Sequence, residues 1–144
     1  MKSRATAQWE GDLMSGKGKT SAGGGTFRDL NLSWKARTEG AGASTTPEEL
    51  LAAAHASCFS MALSHGLAQG GHAPGRLETT CTVEFGPKQG GGFEVKSSSL
   101  EVRGQVPGID QAAFQKAAEG AKDGCPVSGA LKGNVTFELD AKLE

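Results

Sequence analysis

The stretch Thr46-Pro-Glu-Glu-Leu-Leu-Ala-Ala-Ala-His-Ala-Ser-Cys-Phe-Ser-Met-Ala-Leu63, continuing to Gln69, decides the fold of this chain. Thr46 offers the hydroxyl of an N-cap, and Pro47 fits the first helical position, where its missing N–H costs nothing. Glu49 falls three residues after Thr46, the spacing of a capping box. From Leu50 to Gln69 the chain is rich in Ala and Leu, contains no Pro, and is stopped by Gly70-Gly71, so a long helix is predicted there. It is apolar around much of its circumference, which predicts burial on several sides rather than a place on the surface.

Working outward, residues 4–10 and 26–36 have strand character, and the period-two alternation of Leu30, Leu32 and Trp34 predicts one buried face. Between them, 11–25 reads as turn, short strand and loop, and 40–46 as the loop that leads into the helix. After the helix, Leu77, Thr79, Cys81, Val83 and Phe85 alternate with Glu78, Thr80, Thr82 and Glu84, the pattern of a half-buried strand. A turn over 86–92 returns the chain as a strand over 93–106. A helix is expected from about Asp110 to Gly120 or Gly124, a short one from Pro126, and a last strand over 134–143. Strands, long helix, strand pair, helices, strand: the order predicts one α+β domain over 1–144, with helices on a largely antiparallel sheet and no βαβ rhythm. A long apolar helix is hard to cover in so small a chain, so a homodimer is expected to bury it.

Composition narrows the function. Fifteen Lys and Arg stand against sixteen Asp and Glu, a net charge of −1, and no basic excess marks a nucleic-acid partner. No apolar run reaches the roughly 20 residues of a membrane span, and Met1-Lys-Ser-Arg-Ala5 leads into no hydrophobic stretch, so a cytoplasmic protein without membrane contact is expected. The 22 glycines show no period, and those at 23–25 and 90–92 read as loops. Gly18-Lys-Thr20 imitates the end of a phosphate loop, but Leu13 stands where that motif needs its first Gly.

Three cysteines carry what chemistry the sequence offers. No CxxC or CxxH pair supplies a metal-ligand set, and a structural disulfide is not expected in the cytosol. Cys81 lies on the apolar face of a strand and reads as a small buried hydrophobe. Cys58 lies inside the long helix, with His55 three residues earlier; that His either polarises the thiol or fills a satisfied interior position. Cys125, between Gly124 and Pro126, stands where unpaired backbone N–H groups stabilise a thiolate, or is simply a loop cysteine. One thiol on a rigid helix and another on a loop is the arrangement of a peroxidatic and a resolving pair.

The quoted helix closely resembles the central helix of the OsmC/Ohr family of bacterial hydroperoxide reductases. Gly124-Cys-Pro-Val-Ser128 resembles that family's second-cysteine motif, and Ala7-Gln-Trp-Glu-Gly11 and Val106-Pro-Gly-Ile-Asp110 look like its OsmC branch. Ala-Ala-His-Ala before Cys58 favours that branch over the Ohr branch. The resemblance implies an intertwined homodimer with two sites at the subunit interface. It also implies a Cys-based peroxidase that reduces organic hydroperoxides and is itself reduced by an external dithiol, lipoyl groups among them, with no bound cofactor or metal. Residue by residue, Cys58 matches the peroxidatic cysteine and Cys125 the resolving one. Arg37 matches the activating arginine and Glu48 the carboxylate that orients it. Ten residues of helix separate Glu48 from Cys58 by about 15 Å along the axis. One arginine cannot comfortably touch both within a subunit, so the constellation makes sense as a shared interface site. Glu48 as a plain first-turn acid is the bland alternative. The rival function is a redox-sensing or stress-response binding module that uses the same thiols without rapid turnover.

Overall fold

In chain order the elements are β1 (Ala5–Glu10), β2 (Lys17–Ala22), β3 (Leu30–Leu32), α1 (Trp34–Glu39), α2 (Pro47–Gln69), β4 (Arg76–Pro87), β5 (Phe93–Gln105), α3 (Gln111–Gly124), α4 (Pro126–Leu131) and β6 (Thr136–Leu143). The computed structural model describes residues 1–40 and 42–144; Ala41, in the loop expected at 40–46, lies outside the described residues. The fold class is α+β, as the order of elements predicts. Two compact units divide the chain, Met1–Leu50 and Leu51–Glu144.

In the first unit, β1, β2 and β3 form an antiparallel sheet with β2 in the middle. The strand expected over 26–36 is cut short. Ser33 accepts a hydrogen bond from the Ala36 amide at 3.0 Å and caps α1, so Trp34 opens a helix instead of extending the Leu30–Leu32 alternation. A local side-chain cap outweighs a three-residue alternation because it satisfies an amide that would otherwise lack a partner. At the next helix start, Thr46 Oγ1 accepts from the Glu49 amide at 3.1 Å. The Glu49 carboxylate takes the Thr45 hydroxyl at 2.6 Å, so only half of the expected capping box closes in its usual form.

In the second unit, β5 is the central strand. It pairs with β4 antiparallel and with β6 in parallel. The sheet is therefore mixed rather than purely antiparallel, because α3 and α4 carry the chain from the end of β5 back to its start before β6 begins. Asp110 starts α3 by accepting from the Ala113 amide at 2.8 Å. The Gln111 side chain donates to the Ala141 carbonyl at 2.8 Å and accepts from the Leu143 amide at 2.7 Å, tying β6 to the start of α3.

The core of this unit is Phe59, Leu63 and Leu67 from α2, Leu100 and Val102 from β5, Phe114, Ala118 and Ala121 from α3, and Cys125. Gly104 is what lets α3 come close. A Cβ there would stand 2.4 Å from Phe114 Cζ, so the ring occupies the space that any other residue's side chain would need.

α2 corrects one expectation. It is long and apolar enough, by length and composition, to cross a membrane. Within this unit it buries one stripe, His55, Phe59, Leu63 and Leu67, at the four-residue spacing of a single helix face; burial of its other sides was expected from a homodimer. Ala53, Ala54 and Ser57 are exposed, as is Met61 at 68 %.

Candidate active site

The residues singled out in the sequence fall into two groups, one in each unit. In the first, the Arg37 guanidinium grips the Glu48 carboxylate. Arg37 Nε donates to both carboxylate oxygens at 3.0 and 3.1 Å, and Nη2 donates to Oε1 at 2.6 Å. Glu48 is buried, whereas the Arg37 side chain keeps 30 % of its surface. α1 supplies the arginine in its last turn and α2 the carboxylate in its first. Fixed through Nε and one terminal nitrogen, the guanidinium has its orientation set by the carboxylate. It lines a pocket of ≈ 320 Å³ with Trp9, Leu13, Leu32, Trp34 and Pro47. A cation in an apolar wall suits a ligand with an oxygen-rich end and a hydrocarbon body.

In the second unit, Cys58 on α2 and Cys125 before α4 face each other as free thiols. Cys58 is half-buried and opens onto a groove lined by Met61, Ala62, Ala121 and Pro126, whereas Cys125 is 1 % exposed. Burial pushes the Cys58 thiol up, and its hydrogen bond to Cys125 adds to this, against a smaller pull down from the Val127 amide. Burial also acts to raise Cys125, but the Ser128 amide, the Cys58 thiol, the Ser128 hydroxyl and the Val127 amide together bring it below the ordinary thiol value. Cys125 closes no side-chain cap on α4. Within this unit, therefore, the Cys58 thiol is raised and the Cys125 thiol lowered.

His55 does not polarise Cys58. It is fully buried, with Nδ1 2.7 Å from Ser98 Oγ and Nε2 2.9 Å from Ser128 Oγ. The Phe137 ring stands edge-on to it, 5.7 Å between centroids. Cys81 Sγ lies 3.2 Å from Ser98 Oγ and 3.8 Å from His55 Nδ1, so this strand-face cysteine, packed against the core, also has polar neighbours. Sequence reasoning passed over Ser98 and Ser128; the one available signal was a polar residue on each inward-facing position beside the helix.

Burial lowers the His55 pKa, which fixes a sign. The unfolded chain takes up a proton near pH 6.5, while the folded chain does so only at lower pH. Stability from this group is thus present above about pH 6.5 and is lost as pH falls, with a slope of at most about 1.4 kcal/mol per pH unit. The His55 ring resonances are expected to stay at their neutral positions as the pH passes down through 6.5. An ordinary titration in the folded protein would remove this account.

The chain belongs to the OsmC-like protein family, whose model matches residues 38–140. It is 40 % identical over 139 residues to Peroxiredoxin OsmC of Escherichia coli (strain K12), covering 96 % of each chain. It is 36 % identical over 113 residues to the Organic hydroperoxide resistance protein of Xanthomonas axonopodis pv. citri (strain 306), covering 77 % of each. Among solved structures, the Organic Hydroperoxide Resistance Protein OhrB of Bacillus subtilis matches with a TM-score of 0.76 and 26 % identity, over 96 % of this chain and 98 % of that one.

Proposed function

We propose that this protein is a thiol peroxidase that reduces organic hydroperoxides to alcohols, with Cys58 as the attacking sulfur and Cys125 as the resolving one. The observation that carries the reading is the facing pair of free thiols in the second unit; the oriented Arg37 and the names of the relatives support it. Cys58 attacks the distal oxygen of the hydroperoxide, the O–O bond breaks, and the alkoxide takes a proton to leave as alcohol. Cys58 becomes a sulfenic acid. Cys125 then attacks that sulfur, forming the disulfide as the hydroxyl departs as water. An external dithiol returns both thiols by exchange.

Activation of Cys58 calls for a cation that the second unit does not itself supply. We assign this role to Arg37, held by Glu48, acting on the Cys58 of a partner subunit in a homodimer. Two observations support the dimer: the exposed apolar side of α2, with Met61 at 68 %, and the roughly 15 Å of helix between Glu48 and Cys58. The guanidinium lowers the cost of the Cys58 thiolate and of the departing alkoxide.

Multiple-turnover consumption of cumene hydroperoxide with dihydrolipoamide as reductant is expected, at a rate that Arg37→Ala lowers by more than about tenfold without unfolding the protein. A single equivalent consumed with no further turnover would favour the redox-sensing module instead.

A further inference from the structure

His55 and Ser128 tie together the two elements that carry Cys58 and Cys125. His55 stands on α2 three residues before Cys58, and Ser128 stands in the first turn of α4 three residues after Cys125. His55 Nε2 lies 2.9 Å from Ser128 Oγ, and on the other side of the ring Nδ1 lies 2.7 Å from Ser98 Oγ on β5. His55 and Ser98 are wholly buried and Ser128 nearly so, so water does not compete for these bonds. The Gly129 amide donates to the Cys125 carbonyl at 2.9 Å, which places Cys125 and Ser128 in one hydrogen-bonded turn. The bond between His55 and Ser128 thus crosses from one thiol-bearing element to the other, about one helical turn from each cysteine.

α4 has little of its own to fix its seating. It is six residues long, Cys125 closes no side-chain cap on it, and glycines stand at 124 and 133 on either side. Apolar side chains of the same shape would fill the space equally well, since a buried hydrogen bond between neutral groups contributes little net stability. What the hydrogen bonds add is selection. Any slide of α4 along α2 leaves a buried ring nitrogen and a buried hydroxyl without partners, and that is costly. We propose that His55, through Ser128, is a positioning residue that sets Cys125 opposite Cys58, so that the resolving sulfur reaches the oxidised one.

The groove onto which Cys58 opens is walled by Gly124 and Pro126, the two chain neighbours of Cys125, and Cys58 packs against the core cluster to which Cys125 belongs. A shift in the first turn of α4 therefore moves Cys125 against Cys58 directly. The inference deepens the peroxidase reading and rests on Cys125 as the resolving residue. In the step it serves, a Cys125 thiolate attacks the Cys58 sulfenic sulfur, the S–S bond forms, the S–O bond breaks, and hydroxide leaves to take a proton from solvent. Such an attack needs the two sulfurs aligned, and a misplacement of about 1 Å costs up to about a hundredfold in rate. The earlier oxidation of Cys58 by peroxide does not require Cys125 to be in place.

Two substitutions at one position, and a third at its partner, test this. Glutamine carries its amide nitrogen as many bonds from Cα as His Nε2, and asparagine as many as Nδ1. His55→Gln therefore keeps a partner for Ser128, whereas His55→Asn keeps one for Ser98 only. After one equivalent of cumene hydroperoxide, dimedone trapping and peptide mass mapping follow the Cys58 sulfenic acid and its conversion to the Cys58–Cys125 disulfide. His55→Asn and Ser128→Ala are expected to slow that conversion by about tenfold or more and to raise the sulfinic fraction, with the first oxidation unchanged. His55→Gln is expected to convert at close to the parent rate. Conversion at the parent rate in Ser128→Ala, which removes one oxygen atom and disturbs the fold least, overturns the proposal. Equal slowing in His55→Gln and His55→Asn overturns it too. The pair is also read without peroxide, from its equilibrium with reduced and oxidised glutathione, where His55→Asn and Ser128→Ala are expected to lower the effective concentration of one thiol at the other by about tenfold. An unchanged equilibrium in Ser128→Ala counts against the proposal whether or not the parent consumes hydroperoxide, so failure of the peroxidase reading would show separately.

Discussion

Cys58→Ser is expected to consume no organic hydroperoxide above the uncatalysed background. Peroxide reduction takes two electrons from the attacking atom, and sulfur supplies them by becoming a sulfenic acid. A serine oxygen cannot follow that course, and its hydroxyl stays protonated at neutral pH, so no weaker version of the same chemistry remains. The substitution is mild for the fold. Cys58 is half-buried on α2 and lies at the edge of the core rather than within it, and serine changes its volume little. Loss of activity with the circular dichroism spectrum of the parent is the expected pair of results. Retention of most turnover would move the chemistry away from Cys58.

In Cys125→Ser, Cys58 is expected to be oxidised once and then to stall. The first step needs only the Cys58 sulfur, the peroxide and the guanidinium, none of which this change removes. Serine is a favoured N-cap residue, so the start of α4 is not weakened. The sulfenic acid, lacking its partner, lingers, is trapped by dimedone, or proceeds to the sulfinic form with excess peroxide. The parent protein, given one equivalent, is expected to form a Cys58–Cys125 disulfide that a dithiol reverses. Peptide mass mapping separates these outcomes. Cys81 in the disulfide, or none formed, would mean that Cys125 is not the resolving residue.

Helix starts were the most legible part of the fold, because each is a local chemical event. Thr46 and Asp110 cap as their positions predict, and Cys125 precedes the short helix begun by Pro126. Ser33 is an equally local signal, masked in the sequence by the alternation of Leu30, Leu32 and Trp34 around it. The direction of β6 could not be read, since a strand's own pattern states which face is buried but not which neighbour it joins. The site divides similarly. The resemblance carried Arg37, Glu48, Cys58 and Cys125, whereas the partners of His55 lie 43 and 73 residues away in the chain. Nothing within a helical turn of His55 indicates that its ring faces two serines rather than the neighbouring thiol.

The parallel seating of β6 also bears on the order in which the protein folds. β4 and β5 are joined by a tight turn, with the Lys88 amide donating to the Gly92 carbonyl, and such a hairpin closes fast. No tight turn can deliver a parallel neighbour. β6 must wait until residues 106–135 have been laid across the sheet, and the entropy of closing that long connection is lost before its contacts repay it. Cys125 lies inside that connection, and α3, which leads into it, is tied to β6 through Gln111. The two sulfurs are therefore brought together late, as the C-terminal strand docks.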